Sequence, residues 1–175
     1  MSIPEKSEHF VSVIEANKGI IYKVVNSYCK NEVERKDLVQ EIVMQLWKSF
    51  DNYNEAFRHS TWIYRIALNV SISFYRKEVR RHKIHSPFSE NIFNVIEIQY
   101  DSDIDGDLIL LKSLISGLTD FDKAMVLLYL DQKSHKEISE ITGITETNVA
   151  TKIARIKALL KHKFSQLKNS SDGRY

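Results

Sequence analysis

The stretch Thr145-Glu-Thr-Asn-Val-Ala-Thr-Lys-Ile-Ala-Arg-Ile-Lys157 settles how the second half of the chain must be read. From Asn148 onward, Val149, Ile153, Ile156 and Leu160 fall on one face at helical spacing, and Asn148, Thr151, Lys152 and Arg155 fall on the other. The stretch follows a short capped segment and Gly143, which is the layout of a helix-turn-helix. A helix built this way buries one side and offers amide, hydroxyl and cationic donors to something anionic and patterned. Duplex DNA fits that description.

Composition points the same way. Five Gly and two Pro in 175 residues leave little punctuation for the turns of a β-protein, so an all-α fold is expected. The net charge of +2 hides segregation. Residues 150–169 carry six Lys or Arg and no acid, whereas residues 86–107 carry six acids and no Lys or Arg. Such asymmetry within one chain suggests a nucleic-acid partner. The single cysteine, Cys29, excludes an intramolecular disulfide and fits a reducing compartment. The N-terminus MSIPEKSEHF lacks the apolar stretch of a signal peptide, and the longest apolar run, Ala124 to Leu130, is too short to span a bilayer. A soluble intracellular protein is expected.

Periodicity predicts a helix from about Glu8 to Cys29 with a break near Asn17–Gly19, and a second from about Glu34 to Phe50. A polar loop, 51–60, carries Tyr53 and Phe57, and Ser60 or Thr61 is expected to cap a long helix reaching His85. Helices are expected further on at Asp107–Ser116, Asp120–Leu130, His135–Thr142 and Glu146–Lys168, the third opened by a Ser134–Glu137 capping box. The expected organisation is therefore two small helical domains, 1–85 and 108–175, joined by an acidic linker at 86–107.

On the long helix, Ile63, Ile66, Ala67, Val70 and Phe74 form the expected core face. Arg65, Asn69, Ser73, Arg76 and Arg80 form a stripe opposite, headed by Trp62. An indole among cations and amides can stack on an unpaired base while its neighbours hold phosphates. A solvated basic face with Trp62 covered by the preceding loop is the equal alternative at this point. The helix near Glu34–Phe50 turns Asp37, Gln40, Glu41 and Lys48 away from its apolar side. A di-metal helix would need a Glu-x-x-His pair, but position 44 is Met, so a docking face for a basic partner is the better reading.

Two motif blocks in this order carry a resemblance. Asp37-Leu-Val-Gln-Glu41, Leu46-Trp47 and Ser60-Thr-Trp-Ile-Tyr-Arg-Ile-Ala-Leu-Asn69 followed by a basic helix resemble the second domain of bacterial RNA polymerase sigma factors. Gly143-Ile-Thr-Glu146 leading into Val149–Arg155 resembles their fourth domain. With these two domains alone, the chain is similar to the extracytoplasmic-function (ECF) group over residues 8–168.

The resemblance implies roles. Asp37, Gln40 and Glu41 would dock on core RNA polymerase. The loop 54–60 with Thr61, Trp62, Arg65 and Asn69 would open the promoter −10 element and capture a flipped base, while Arg76, Lys77, Arg80 and Arg81 hold nearby phosphates. Thr147, Asn148, Thr151, Lys152 and Arg155 would read the −35 element in the major groove. The acidic linker would thread the polymerase toward the RNA exit path, and an anti-sigma factor, often membrane-anchored, would hold the protein inactive. No cofactor or metal is implied.

Two positions depart from the pattern. Ala150 stands where a Lys or Arg is common, and Ile63 where primary sigma factors place a second Trp, a smaller wedge that should demand a better promoter match. Cys29, Tyr22, Tyr28, Phe74 and Phe121 read as core residues, and His82 with His85 as part of a basic helix end. No phosphate-binding Gly loop, zincin motif or nucleophile elbow is present, so an enzyme has little support. An autonomous helix-turn-helix regulator or a protein-binding adaptor are the rivals. The first needs neither the Trp62 stripe nor the Asp37–Glu41 face, and the second does not need Arg155.

Overall fold

Helix-forming sequence with few breakers yields, in the computed structural model, a chain of helices and short connections over residues 3–29, 31–85 and 106–172, which are those the structure describes; side chains of 3, 78–85 and 170–172 lie outside it. In chain order they are α1 (Ile3–Tyr28), α2 (Glu32–Ser49), a 3₁₀ turn (Phe50–Asn52), α3 (His59–His85), α4 (Gly106–Ser116), α5 (Asp120–Leu130), α6 (His135–Thr142) and α7 (Glu146–Asp172). There is no strand among the described residues. The fold is all-α. None of its described helices is long and apolar enough to cross a membrane. The chain divides into two compact units, Met1–His85 with Ser139–Gly143, and Ser86–Ile138 with Ile144–Tyr175.

In the first unit α1, α2 and α3 pack on one another. Their dry interior holds Val24 and Val25 from α1, Leu38, Ile42 and Leu46 from α2, and Ile63, Tyr64 and Ala67 from α3. The break expected near Asn17–Gly19 does not occur, since α1 is continuous. Asn17 turns its amide back to the Val13 carbonyl at 2.8 Å, and Gly19 lies exposed with open space beside its Cα. A lone exposed glycine weakens a helix by about 1 kcal/mol without interrupting its hydrogen bonds. Asn31 caps α2, its side chain accepting from the Glu34 amide at 2.7 Å. Helix α3 starts at His59, ahead of the expected Ser60 or Thr61 cap, with Trp62 N–H already donating to the Arg58 carbonyl.

The core face of α3 also lies further round than the sequence wheel predicts. Tyr64, Leu68 and Ser71 are buried with Ile63 and Ala67, whereas Ile66, Val70 and Phe74 are half-buried. The cause is that α3 packs against both α1 and α2, so its buried arc is centred between the two contacts. Among the remaining core candidates, Tyr28 and Cys29 are buried, Phe121 is half-buried, and Tyr22 is 54% exposed.

In the second unit α7 packs on α4 and α5. Ala124, Met125 and Leu128 of α5 are buried, as are Val149, Ile153 and Ile156 of α7. The expected box forms at the start of α6: Ser134 Oγ accepts from the Glu137 amide, and Glu137 accepts from the Ser134 amide at 2.9 Å. Helix α6 ends on Gly143, whose amide still makes a helical bond to the Ser139 carbonyl at 2.8 Å and whose positive φ of 78° then turns the chain out of the helix. Thr145 then caps α7 through the Asn148 amide. The second expected helix of this half, Asp120–Leu130, occurs with those bounds, and α7 runs four residues beyond its expected end.

The end of α5 uses the same device with an unfavourable residue. Lys133 N–H donates to the Leu128 carbonyl and Gln132 N–H to the Tyr129 carbonyl, a Schellman arrangement that forces Gln132 to φ 57°. A side chain there costs about 1 kcal/mol relative to glycine. Gln132→Gly should therefore raise the thermal midpoint of the second unit; an unchanged or lower midpoint would show that the turn is not strained.

Candidate nucleic-acid and protein interfaces

The polar side of α7 is displayed by the burial of its other side. With Val149, Ile153 and Ile156 facing the core, Thr147, Asn148, Thr151 and Arg155 are exposed. Lys152 is half-buried and engaged: its ammonium lies 2.8 Å from Asp122 Oδ1 of α5 and 5.4 Å from the centre of the Phe121 ring. The Asp122 oxygen is buried and the contact lacks hydrogen-bond alignment, so this is an ion pair proper. Thr151 spends its hydroxyl on the Thr147 carbonyl at 2.9 Å. Together Phe121, Asp122, Ile144, Asn148, Thr151, Lys152, Arg155 and Leu159 line a shallow groove along the helix. Nothing in the local pattern marks Asp122. Its spacing from Thr119 marks only an acidic first turn, and the partner is thirty residues away.

In the first unit the expected residues separate into two places. Asp37 and Glu41 of α2 line a groove of about 680 Å³ together with Asn69 and Lys77 of α3. Its floor is Ile66, Val70 and Phe74, the residues that the rotated α3 core leaves half-buried. Carboxylates expected to meet polymerase and an amide and an ammonium expected to meet DNA thus share one depression. Gln40 is exposed and does not line it. Gln45, which the sequence reading passed over, does line it and donates to Glu41 Oε1 at 2.9 Å, fixing that carboxylate. Arg65, Arg76 and Lys77 are exposed, and the side chain of Arg80 lies outside the described residues, as do Arg81, His82, His85 and the acidic linker through residue 105.

Trp62 sits elsewhere, half-buried in an aromatic cluster. Phe50 lies 5.9 Å and Tyr53 5.3 Å from it between ring centres, and His59 stacks on Tyr53 at 4.5 Å. The loop therefore does cover part of the indole. Thr61 is only 7% exposed and Ile63 wholly buried, so neither is presented to a nucleic acid here. Thr61 stands inside the first turn of α3, with its side chain facing inward. Ile63 is a core residue and not a wedge. Phe50, beside Trp62, and His59, stacked on Tyr53, were missed because their placement depends on the 3₁₀ turn. Among the described residues no group of three or more His, Cys, Asp or Glu could hold a metal ion.

Tyr53 fastens the loop by donating its hydroxyl to the Phe57 carbonyl. Burial, with a smaller contribution from Glu55, raises its phenol pKa above the ordinary 10.0. The protonated donor is thus fully present below the ordinary value and is lost only as pH rises through the higher folded one.

Two family models match the chain: Sigma-70 region 2 over residues 13–81 and Sigma-70, region 4 over residues 108–160. The ECF RNA polymerase sigma factor SigW of Bacillus subtilis (strain 168) is 26% identical over 168 residues, covering 90% of each chain. The fold is shared with CnrH, solved in complex with the cytosolic domain of CnrY, at 16% identity and a TM-score of 0.64 over 91% of this chain and 90% of that one. It is shared also with the sigma factor RpoE of Bartonella quintana, solved with the anti-sigma factor NepR, at 16% identity and a TM-score of 0.60 over 91% and 96%. With both of its compact units matched in order, the chain belongs to the sigma-70 family. Within that family it is of the ECF type, an alternative sigma factor that directs promoter-specific transcription initiation.

Tyr53→Phe should lower stability by about 0.5–1.5 kcal/mol, the usual net worth of one hydrogen bond, read as a lower urea midpoint at constant slope. An unchanged midpoint would mean that water serves the hydroxyl equally well.

Proposed function

We propose that residues 1–85 dock on core RNA polymerase and open the −10 element, that residues 108–175 read the −35 element, and that 86–107 tether the two. The observation that supports this division is the presence of two unlike surfaces on one chain: an acid-bearing groove on α2–α3 and a donor-lined helix face on α7. Asp37, Gln40 and Glu41 supply the docking charges, with Gln45 holding Glu41 in place. Trp62, Arg65, Asn69, Arg76, Lys77 and Arg80 serve the −10 strand. Because Tyr53 and Phe50 flank Trp62, a captured base would stack at the open side of an aromatic cluster that is already assembled. Thr61 acts from beneath, by packing.

On α7, Asn148 and Arg155 are the exposed donors suited to bidentate base contacts, Asn to adenine and Arg to guanine, with Thr147, Thr151 and Lys152 beside them. The polymerase supplies the chemistry of RNA synthesis, and this chain contributes position, with no cofactor. An anti-sigma factor is a further proposed partner, supported by the capture of RpoE with NepR. A cytoplasmic site of action follows from where the polymerase works.

The test is co-elution of the purified chain with core polymerase, followed by transcription from a randomised promoter library. Failure to co-elute would overturn the reading. Two variants probe its halves. Arg155→Ala should cost about 1–3 kcal/mol at one upstream promoter position and leave the others unchanged. Glu41→Lys should weaken assembly with core while the upstream preference of the complex that still forms stays the same.

A further inference from the structure

Lys152 lies at the middle of the α7 donor face, one turn after Asn148 and one turn before Arg155, yet it differs from both. Its ammonium is held by a carboxylate on another helix, and its flank is covered by an aromatic ring. Asp122 is well placed to hold it. Its own backbone amide is anchored by Thr119 Oγ1 at 3.2 Å, and as an acid in the first turn of α5 it is favoured by the helix dipole. The pair is sheltered, with the Asp122 side chain 18% and the Lys152 side chain 38% exposed. Both line the same groove as Asn148, Thr151 and Arg155.

An unpaired lysine at the centre of such a face would take any phosphate that came near, adding affinity for every sequence alike. Paired with Asp122, the same ammonium is partly neutralised and fixed in position. It has three N–H donors, and the ion pair with Asp122 leaves those on its outer side available for a base-edge acceptor such as guanine O6 or N7. We infer that Asp122 is a specificity-determining residue: it positions Lys152 for a base edge and denies it to the phosphate backbone. The inference rests on the reading of α7 as the −35 helix and adds a residue on α5 to it.

The first arm of the test uses no DNA. Acylation of the full chain by limiting acetic anhydride, followed by peptide mass spectrometry, should show Lys152 reacting several-fold faster in Asp122→Asn than in the unmodified chain. Unchanged reactivity overturns the inference. The second arm uses the chain assembled with core polymerase on promoters carrying either the best upstream hexamer selected from a randomised library or a scrambled one. Asp122→Asn should bind the scrambled promoter more tightly, by about fivefold near 0.1 M salt, and steepen its salt dependence by about one phosphate contact. Discrimination between the two promoters should fall accordingly.

Asp122→Glu, which keeps the charge, should restore discrimination. In a Lys152→Met background Asp122→Asn should have no further effect, which a merely structural role for Asp122 would not produce. Unchanged discrimination in Asp122→Asn, with Arg155→Ala still shifting base preference, overturns the role of Asp122 and leaves the −35 helix intact. Unchanged preference in both variants overturns the helix assignment and this inference with it.

Discussion

Helix α3 has to satisfy two neighbours at once, and much of the first unit follows from how it does so. Its dry arc of Ile63, Tyr64, Ala67, Leu68 and Ser71 is wide because α1 and α2 both close on it. A helix has a fixed angular distance between residues, so settling that arc also settles which side chains are left over. Arg65, Asn69, Arg76 and Lys77 are turned outward, Ile66, Val70 and Phe74 are left at the margin, and that margin becomes the floor of the groove facing Asp37 and Glu41. Filling the arc with smaller residues would destabilise the bundle.

The helices were legible because their signals are local. Thr119, Ser134 and Thr145 cap the helices they precede, and the apolar spacing of Val149, Ile153 and Ile156 states which side of α7 is buried. What escaped was set by distant packing. A helical wheel assumes one buried side, and α3 has two contacts, so Tyr64 and Leu68 were not counted as core while Ile66 and Val70 were. Gly19 suggested a bend that the intact hydrogen bonds of α1 override.

The same limit applies to the candidate interfaces. Reading α7 from sequence, every polar residue on the outer face counts as an available donor. In the folded chain Lys152 is committed to Asp122 and Thr151 to the backbone, and Lys157 lies 3.2 Å from the Tyr129 hydroxyl and 5.1 Å from the centre of its ring. Availability is a tertiary property. Likewise Trp62 was visible as an anomaly among cations, but its support by Phe50, and the stacking of His59 on Tyr53, depends on a 3₁₀ turn that no periodicity announces.

Asp107, near the first residue of α4, meets Lys168 close to the far end of α7 at 2.6 Å, and Lys168 also lies over Phe164. Asp107 directly follows Gly106, where α4 begins. Mechanical load arriving along the chain from the first unit would therefore enter at the α4–α7 clasp, about four helical turns from Arg155. Being exposed, the clasp is the weak element there and gives way before the hydrophobic seam does. The α4 end of the second unit can thus yield first, leaving the exposed face around Arg155 undisturbed.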